Sequence, residues 1–412
     1  MDKQKIVILG GGFGGVRCAK DLARLFGKQV SITLIDKNDY QLFYPALYEA
    51  STTLKSDGEA LKVKKVITFP YDKIFAGSSV EILKAKIISV DTSLKQIFTD
   101  SKVLNYDYLV VSTGAETEYF NTPGAKENSM PLKTLENAIA LRNKIAWLVE
   151  SASASGCEEL RFVIVGGGFV AVEFVGELKN YLDKLAHLHK LLKNKIVIEV
   201  IEGNDSLLAG LSPKVAEKVQ ARLCRLGIKF KFGKRITEVL SSGVVLDGGE
   251  KIKANLVIWA AGVKGCSVNY AVVPLVNKRG RVEVDEYLRM KDNENVFVLG
   301  DVCSFGASFT GHALPQLAQI AIDEGKQVAK NIQALMTNER MIAYKPSTYG
   351  FMVPVSGKYA IFCSAKGEII VSGFIGWVLR RLADLRYIVN VLSFGSALKI
   401  WMSENILFIK ND

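Results

Sequence analysis

Glycine-rich turns carry the clearest chemical signal in this 412-residue sequence. The first turn, Gly10-x-Gly12-x-x-Gly15, follows an apolar run, and Asp36 lies 21 residues beyond Gly15. In such a turn the first glycine permits a tight bend, the second lets the backbone approach a pyrophosphate, and the third lets the helix pack closely on the strand. The helix N-terminus then faces the phosphates, and the acid can accept hydrogen bonds from ribose hydroxyls. These residues predict a dinucleotide-binding turn.

The same pattern recurs 156 residues later as Gly166-x-Gly168-x-x-Ala171, with alanine in a place where the pattern tolerates it. Its acid is Glu202, which lies 31 residues after Ala171. The extra length is the basic stretch 180–195, which we interpret as an extension of the helix. The sequence therefore predicts a second, separate dinucleotide site.

The second acid also bears on the choice of nicotinamide cofactor. A carboxylate at Glu202 favours a free ribose 2′-hydroxyl and opposes a 2′-phosphate, so NADH is expected to bind better than NADPH. Two nearby cations, Lys190 and Lys193, could soften that preference.

Two further acids follow the second turn, Glu173 and Glu177. They are four residues apart, so they share one face of the helix that leaves the turn. Glu173 is placed to lie near the nicotinamide end of a bound cofactor. The alternative is that such acids only stabilise the helix dipole near its N-terminus, and this is the preferred interpretation for Glu177.

A third chemical signal is the pair Gly300-Asp301, which ends the apolar run NVFVLGD. In a flavin domain an acid at this place can hold the ribityl hydroxyls. We expect the next helix to begin near Leu314, with its N-terminus facing the carbonyl region of the isoalloxazine ring. His312 precedes that helix; a structural role is the preferred interpretation, and a proton relay is the alternative.

Two strand–helix–strand units are needed to position these residues. The first joins KIVIL (5–9) to SITLIDKND (31–39), and the second joins RFVIVGGGF (161–169) to KIVIEVIEG (195–203). Such units begin doubly wound α/β sheets. A simple dehydrogenase needs one of them, whereas a flavoenzyme with separate FAD and NADH domains uses two. We therefore predict an α/β protein with two Rossmann-like domains, one for FAD and one for NADH.

The order of the apolar runs predicts how these domains share the chain. We expect a discontinuous FAD-binding domain over 1–132 and 270–345, because the run that ends at Asp301 returns to it. The NADH-binding domain is expected over 133–269, followed by a C-terminal segment over 346–412.

Composition limits the partners. The formal charge of +11 favours an anionic partner, and no nucleic-acid-binding module is apparent. The six cysteines are scattered without a C-x-x-C pair or a metal-ligand spacing, which indicates a reduced, intracellular compartment and no metal site. The sequence shows no signal-peptide layout and no uncharged run of the roughly 18–20 residues that a spanning helix needs.

With these motifs in place, the chain resembles the type II NADH dehydrogenases, single-subunit NADH:quinone oxidoreductases of the two-domain flavoprotein superfamily. The resemblance covers essentially the full length and rests on a set of short segments: VILGGGFGG (7–15), DKNDY (36–40), VVSTGA (110–115), VGGGFVAVEFVGEL (165–178), VIWAAGV (257–263), FVLGD (297–301) and AQIA (318–321). The last segment is the most specific, because the family uses it where quinone meets the flavin.

The resemblance implies roles for residues within these segments. Lys37, Thr113, Gly114 and Ala318 would join the FAD site, and Ala318 would contact the flavin through its backbone. Gly262 would join the NADH site. The implied activity is transfer of a hydride from NADH to FAD and of two electrons from FAD to a membrane quinone, without proton pumping.

The resemblance also implies two residues that take part in the chemistry. Gln319 would stand at the quinone site, and Glu173 matches the family's acid near the nicotinamide. One departure is Asp323, where the family pattern has a second glutamine. That change leaves the identity of the quinone and the hydrogen bonding of its carbonyl open.

Two related activities remain as alternatives. A sulfide:quinone oxidoreductase needs a redox cysteine pair, one member of which falls near the second glycine turn, where this chain has Phe169-Val170-Ala171. Cys157 precedes that strand, and Cys363 has no obvious partner there. The other alternative is an NADH-dependent reductase of a protein partner.

The C-terminal segment is expected to meet a membrane. From Gly376 onward, apolar residues such as Leu382 and Ile388 follow helical spacing, while Arg380, Arg381 and Asp384 fall mostly elsewhere on the turn. Trp377 and Trp401 with flanking cations suit a helix that lies in the membrane interface. The alternative is packing on the chain's own FAD domain or on a second subunit. We therefore expect a peripheral protein on the cytoplasmic side of the cell membrane, and a homodimer.

Overall fold

The computed structural model describes residues 3–54, 60–266, 268–306, 314–347 and 350–409. Its strands are β1 (Lys5–Leu9), β2 (Ser31–Asp36), β3 (Tyr40–Leu42), β4 (Thr68–Pro70), β5 (Val80–Lys84), β6 (Ile87–Asp91), β7 (Gln96–Thr99), β8 (Val103–Asn105), β9 (Tyr108–Val111), β10 (Ala115–Thr117), β11 (Met130–Pro131), β12 (Leu160–Val165), β13 (Ile196–Ile201), β14 (Lys229–Lys231), β15 (Ile236–Leu240), β16 (Gly243–Leu246), β17 (Lys251–Lys253), β18 (Leu256–Trp259), β19 (Val263–Gly265), β20 (Asn269–Tyr270), β21 (Val282–Glu283), β22 (Val296–Val298), β23 (Cys303–Ser304), β24 (Phe351–Pro354), β25 (Ala360–Cys363) and β26 (Ile370–Gly373). Its α-helices are α1 (Phe13–Phe26), α2 (Leu47–Ala50), α3 (Ala60–Ile67), α4 (Tyr71–Ile74), α5 (Ala125–Asn128), α6 (Leu135–Ser155), α7 (Phe169–Leu188), α8 (Pro213–Arg225), α9 (Ala318–Met336), α10 (Phe374–Val391) and α11 (Phe394–Ile409).

The chain forms two compact units, each built from three stretches of sequence. Unit 1 comprises Met1–Gln41, Phe69–Glu116 and Val263–Ser347, and unit 2 comprises Leu42–Thr68, Thr117–Gly262 and Thr348–Asp412. The first glycine turn and Gly300-Asp301 belong to unit 1. The second glycine turn and the C-terminal segment belong to unit 2.

Unit 1 is built on a five-stranded parallel sheet in the order β22-β9-β1-β2-β5. The run KIVIL has no polar alternation after Lys5, and its side chains Ile6, Ile8 and Leu9 are fully buried, as expected for a parallel strand covered on both faces. Because all five strands run the same way, the carboxyl ends of β1, β2, β9 and β22 lie along one edge. The residues that follow these four strands are therefore neighbours.

Two helices of unit 1 pack closely on each other through small residues. A Cβ atom on Gly14 of α1 would lie 2.8 Å from the carbonyl oxygen of Ala321 in α9. A Cβ atom on Gly325 would collide in turn with the carbonyl oxygen of Gly14. The close approach therefore requires glycine on both helices, and it fixes α9 relative to the glycine turn that precedes α1.

Unit 2 repeats the architecture with a parallel sheet in the order β11-β18-β12-β13-β14. Helix α7 leaves the second glycine turn, and α6 begins at a capping box in which Thr134 and Asn137 exchange side-chain and backbone bonds. A small antiparallel sheet, β15-β16-β17, adds Val239, Val244 and Leu246 to the core. Both sheets confirm the predicted α/β class.

Two predicted helix ends differ from those observed. Helix α7 ends at Leu188, and a 3₁₀ turn over Lys193–Lys195 follows, so the basic stretch is only partly a helical extension. Helix α9 begins at Ala318 and not near Leu314, because Leu317 has extended backbone as the residue before the helix. His312 lies outside the described residues.

The C-terminal segment is more elaborate than the amphipathic helix predicted for it. It forms an antiparallel sheet, β24-β25-β26, followed by the two helices α10 and α11. No helix in the described part of the chain is both long enough and apolar enough to cross a membrane.

Two charged residues of α10 lie inside the protein. Arg381 and Asp384 are buried, whereas the apolar Leu382 is exposed. The Arg381 guanidinium forms ion pairs with Glu49 of α2 and, at 3.4 Å, with Glu404 of α11, while Asp384 pairs with Arg380. Sequence spacing alone could not show these partners, because Glu49 lies 332 residues away.

The solvent side of the same helices carries apolar side chains. Exposed fractions are 60% for Phe374, 51% for Leu382, 70% for Phe394 and 63% for Ile406. A helix pair that buries ion pairs and exposes large apolar groups reverses the usual arrangement of a protein in water.

Candidate functional site

The first glycine turn closes tightly against the end of β9. The Ser112 hydroxyl donates to the carbonyl oxygens of Leu9 (2.9 Å) and Gly10 (2.8 Å). Gly10 has a left-handed φ of +96°, and a Cβ atom there would collide with the Ser112 carbonyl group. By contrast, the space around Gly12 is open, and Gly12 precedes α1 without any side-chain capping bond. The helix tip is thus free to receive a pyrophosphate.

Asp36, at the end of β2, is tied to this turn. One carboxylate oxygen accepts the backbone N–H of Gly11 at 2.7 Å, and the other accepts that of Asn38 at 2.8 Å. The Tyr71 hydroxyl donates to the carbonyl oxygen of Gly11 at 3.0 Å, a contact that no sequence pattern indicated. Asp36 remains partly exposed, and the neighbouring Lys37 is exposed, so both can reach a ligand.

Thr113 and Gly114 follow β9 and lie at the same edge of the unit 1 sheet. Gly114 has a left-handed φ of +76°, and its carbonyl oxygen accepts the N–H of Cys266 at 3.0 Å. The Thr113 hydroxyl donates to the carbonyl oxygen of Cys266 at 3.4 Å. The parallel register therefore brings these two residues beside Gly10.

Gly300 and Asp301 form a short 3₁₀ turn directly after β22 and Leu299. Gly300 has a left-handed φ of +74°, and its N–H donates to a carboxylate oxygen of Glu324 at 2.5 Å. The side-chain amide of Gln316 donates to the Asp301 carbonyl oxygen at 3.0 Å. These bonds fix the turn at the same sheet edge as the first glycine turn.

Glu324 is a residue of this site that the sequence did not single out. It is 2% exposed, and burial raises its pKa to about 8, although the Gly300 N–H and Arg281 oppose the shift. Arg281 donates to the carbonyl oxygens of Cys303 (2.7 Å) and Leu314 (3.0 Å). Together the two side chains hold the backbone around the Gly300 turn.

The segment predicted for quinone opens α9. Ala318 is half-buried and Gln319 is exposed in the first turn, whereas Ile320 and Ala321 are buried. Asp323, one turn later, accepts a hydrogen bond from the Ser347 hydroxyl at 3.3 Å. Gln319 is therefore accessible to a ligand from the N-terminal end of α9.

The second glycine turn in unit 2 repeats the geometry of the first. Gly166 has a φ of +104°, and a Cβ atom there would lie 2.6 Å from the carbonyl oxygen of Ala260 at the end of β18. Gly168 is surrounded by open space and precedes α7 without a side-chain cap. Ala171 is buried in the first turn of helix α7. Its methyl group therefore fits at the position where the first glycine-rich turn requires Gly15.

Glu202 bonds the second glycine turn in the same way as Asp36 bonds the first. One of its oxygens accepts the backbone N–H of Gly167, and the other accepts the N–H of Asn204 at 2.8 Å. Lys190 and Lys193 are the two cations that could weaken the preference of Glu202 for NADH over NADPH. Lys193 lies 4.0 Å from the Asp183 carboxylate, and Lys190 follows α7 in a left-handed conformation.

Gly262 lies just after β18, at the same sheet edge as Gly166 and Glu202. Its carbonyl oxygen accepts the N–H of Glu118 at 3.1 Å. The ring of Phe120 lies against its other side, 3.3 Å from where a Cβ atom would stand. Three residues predicted to bind NADH are thus gathered at the carboxyl ends of three adjacent strands, β18, β12 and β13.

Glu173 belongs to a cluster of charged side chains in unit 2. Burial raises its pKa to about 8; Arg380 opposes this shift, and Glu49 adds to it. Burial also raises the pKa of Tyr48, with Glu49 and Glu173 adding to the effect. The protonated form of Glu173 therefore predominates at neutral pH.

Glu177, one turn further along α7, has a structural role. It is buried, and its carboxylate accepts the N–H of Gly357 at 2.8 Å, in the loop between β24 and β25. This bond ties α7 to the C-terminal sheet.

Comparison with known proteins identifies a family whose model matches this chain. The family model for pyridine nucleotide-disulphide oxidoreductases matches residues 4–325. The type II NADH:quinone oxidoreductase of Staphylococcus haemolyticus is 28% identical over 405 residues, which cover 97% of this chain and 98% of that protein. This match confirms the resemblance drawn from the motifs.

Two solved structures that share this fold belong to differently named proteins. NDH2 of Plasmodium falciparum, solved in complex with NADH, superposes with a TM-score of 0.84 at 18% identity and covers 98% of each chain. The sulfide:quinone oxidoreductase of Aquifex aeolicus superposes with a TM-score of 0.76 at 20% identity, over 98% of this chain and 92% of that one. Both likenesses establish the fold.

Proposed function

Since this chain belongs to the pyridine nucleotide-disulphide oxidoreductase family, we propose that it is a flavoprotein that oxidises NADH and reduces a quinone. The observation that carries the proposal is the duplicated turn: Gly12 and Gly168 each open an uncapped helix tip, and Asp36 and Glu202 each bond the turn beside it. One chain thus offers two dinucleotide sites at two separate sheets.

The residues of unit 1 fit FAD. The open tip at Gly12 and the acid Asp36 suit a pyrophosphate and a ribose, and the Gly300 turn presents Asp301 at the same sheet edge for the ribityl hydroxyls. The remaining proposed contacts come from Lys37, Thr113, Gly114 and Ala318. When bound, FAD supplies the hydride acceptor and passes electrons on singly or in pairs.

The residues of unit 2 fit NADH. Gly166 and Gly168 leave room for the pyrophosphate at the tip of α7, with Ala171 packed beneath them and Gly262 beside them. The Glu202 carboxylate is positioned to accept hydrogen bonds from the adenine ribose, and its charge opposes a 2′-phosphate. Hence the proposed donor is NADH in preference to NADPH.

Two side chains are proposed to serve the chemistry directly. Gln319, exposed in the first turn of α9, can donate its amide N–H to a quinone carbonyl. Glu173 holds a proton at its carboxyl group at neutral pH because its pKa is raised to about 8. A group whose pKa lies near the working pH is suited to gain or lose a proton during turnover.

The C-terminal helices are proposed to rest on a membrane surface, on the cytoplasmic side. Their exposed apolar groups, including Phe374 and Phe394, would enter the interface, while the ion pairs around Arg381 hold the helices together beneath. The net charge of +11 adds attraction to anionic lipid. Such docking would bring the protein to a quinone with a long apolar tail. A homodimer remains a further proposal for part of the same apolar surface.

The cysteine-dependent alternative has less support in the structure. None of the six cysteines, all of which lie in the described part of the chain, forms a disulfide. Burial raises the thiol pKa of Cys18, Cys303 and Cys363, which disfavours the thiolate needed for redox exchange. The shared fold therefore does not argue for sulfide chemistry.

Steady-state turnover of the purified holoenzyme tests the proposal. With NADH and a soluble short-chain quinone we expect rapid, matched loss of both. Oxidation of NADH that requires an added redox protein would favour the reductase alternative. Quinone reduction that depends on sulfide and not on NADH would favour the other alternative, a sulfide:quinone oxidoreductase.

A further inference from the structure

Phe120 is an exposed aromatic residue whose backbone conformation is energetically unfavourable. Its φ is +52° and that of the next residue, Asn121, is +53°, so two consecutive non-glycine residues adopt the left-handed conformation. The Phe120 side chain is nevertheless 54% exposed. Backbone strain of this kind persists where the surroundings enforce it, and it is concentrated at ligand-binding sites.

The surroundings of Phe120 do enforce its position. The backbone N–H of Phe120 donates to the carboxylate of Glu118 at 2.8 Å. Glu118 is itself anchored, because its N–H donates to the carbonyl oxygen of Gly262 at 3.1 Å and its carbonyl oxygen accepts the indole N–H of Trp259 at 2.7 Å. Through Glu118, three hydrogen bonds thus tie the backbone that carries the ring to the end of β18.

The location follows from the topology of the unit 2 sheet. In the order β11-β18-β12-β13-β14, the chain runs outward from β12 through β13 to β14 and then returns on the other side at β18. Ligands of open α/β sheets bind where the strand order reverses, beyond the carboxyl ends of the strands. Here that crevice lies between Gly166 after β12 and Gly262 after β18. A Cβ atom on Gly262 would lie 3.3 Å from the ring of Phe120, so the ring borders the crevice.

The two sides of the crevice receive different halves of a dinucleotide. Glu202 follows β13, so the adenine ribose lies on that side of the α7 tip. The other half must then extend toward β18 and Gly262. Resting on the proposed function, we propose that the Phe120 ring packs against the nicotinamide half of NADH and sets the affinity for that half.

Binding measurements on the holoenzyme test this assignment, with NAD⁺ and ADP as probes. The variant Phe120→Asn removes the ring while keeping a residue that tolerates left-handed backbone. Stacking on an aromatic ring strengthens the binding of a base-like ring, so we expect the Kd for NAD⁺ to rise about tenfold. The Kd for ADP, which lacks the nicotinamide half, should stay within about twofold. Phe120→Tyr should bind NAD⁺ as the parent does.

A matched control is Trp147→Ala on α6, because Trp147 is another exposed aromatic residue of unit 2 with the same exposed fraction, 54%. It should leave both Kd values unchanged. An unchanged Kd for NAD⁺ in Phe120→Asn would overturn the inference, and so would an equal loss for ADP, which would mean that the ring only supports the fold. Turnover of NADH and quinone by the parent protein is measured separately, so either failure leaves the proposed function testable.

Discussion

The carboxylate of Glu202 accepts the backbone N–H of Gly167, just as that of Asp36 accepts the N–H of Gly11. In both turns the acid at the end of the second strand bonds the middle glycine of a Gly-Gly-Gly run. Each acid therefore shapes its own turn before any ligand arrives. The correspondence links the choice of cofactor to the geometry of the phosphate site, and it makes the two acids a natural pair for mutagenesis.

Replacing these acids should separate the two sites. Glu202→Ala should raise the KM for NADH by roughly tenfold to a hundredfold, the equivalent of about 1.5–3 kcal/mol for hydrogen bonds to a charged group. Asp36→Ala should instead weaken retention of FAD, measured by flavin release on dilution. Holoenzyme of Asp36→Ala should keep the parent KM for NADH. A parent-like KM in Glu202→Ala would remove Glu202 from the NADH site.

The raised pKa of Glu173 predicts a pH dependence of turnover with NADH and quinone. The carboxyl group is protonated below about pH 8, so the rate with quinone should be highest below that pH and fall above it. Glu173→Gln cannot supply the proton, so we expect a rate lower by about tenfold or more and a flat profile between pH 7 and 9. Glu177→Gln, one turn away and bonded to Gly357, should retain the parent profile. A Glu173→Gln enzyme with an unaltered profile would contradict the role.

Glu324 should make the native state less stable at high pH. Its pKa is about 8 in the native state against an ordinary value of 4.5, so the native state binds the proton more tightly than the unfolded chain. Its contribution is complete below about pH 4.5 and is lost as the pH rises through 8. In Glu324→Gln, the loss in free energy of unfolding between pH 6 and 9 should be smaller by about 2 kcal/mol. Denaturant titrations check this, with the exposed Glu339→Gln as control, and equal losses in both variants would contradict it.

Arg381 should be essential to the C-terminal helices. Without it, Glu49 and Glu404 would be buried with no cation between them, a loss of about 3–5 kcal/mol. Arg381→Met should therefore lower the Tm substantially, whereas Arg386→Met, at an exposed position of the same helix, should change it little. Similar Tm values for the two variants would show that the buried ion pairs do not hold the helices together.

The exposed apolar side chains of α10 and α11 should determine membrane binding. The triple variant Phe374→Glu, Phe394→Glu and Ile406→Glu should no longer sediment with vesicles of phosphatidylglycerol and phosphatidylcholine. A triple variant of equal charge at the exposed apolar residues Val272, Val273 and Leu275 of unit 1 should sediment as the parent does. If the first variant still binds vesicles, or if only its self-association changes, these helices are not the membrane contact.

The glycine turns could be predicted because their requirements are local. A short apolar strand, glycines at fixed spacing and an acid after the next strand depend on backbone geometry within one strand–helix–strand unit. The positions of Gly10 and Gly166 against Ser112 and Ala260 follow from parallel pairing of the strands, which the sequence pattern already implies.

Other parts of the site depend on contacts between distant segments. Helical spacing in α10 separated Arg381 from the apolar residues but did not show what it contacts, because its partner Glu49 lies far away in the chain. Glu324 and its neighbour Asp323 are both acidic residues of α9, and it is the Glu324 carboxylate that faces Gly300 and accepts its N–H. Phe120 has no sequence signal, because its exposure and its left-handed backbone arise from how Glu118 bonds Gly262 and Trp259.

The proposed reaction requires FAD and NADH bound to one chain, with the flavin accepting the hydride, and an anaerobic spectral titration tests this directly. The purified protein should show the absorption bands of oxidised flavin. One equivalent of NADH per flavin should bleach these bands, and one equivalent of a short-chain quinone should restore them. A protein that stays colourless after incubation with FAD, or flavin bands that NADH does not bleach, would contradict the account.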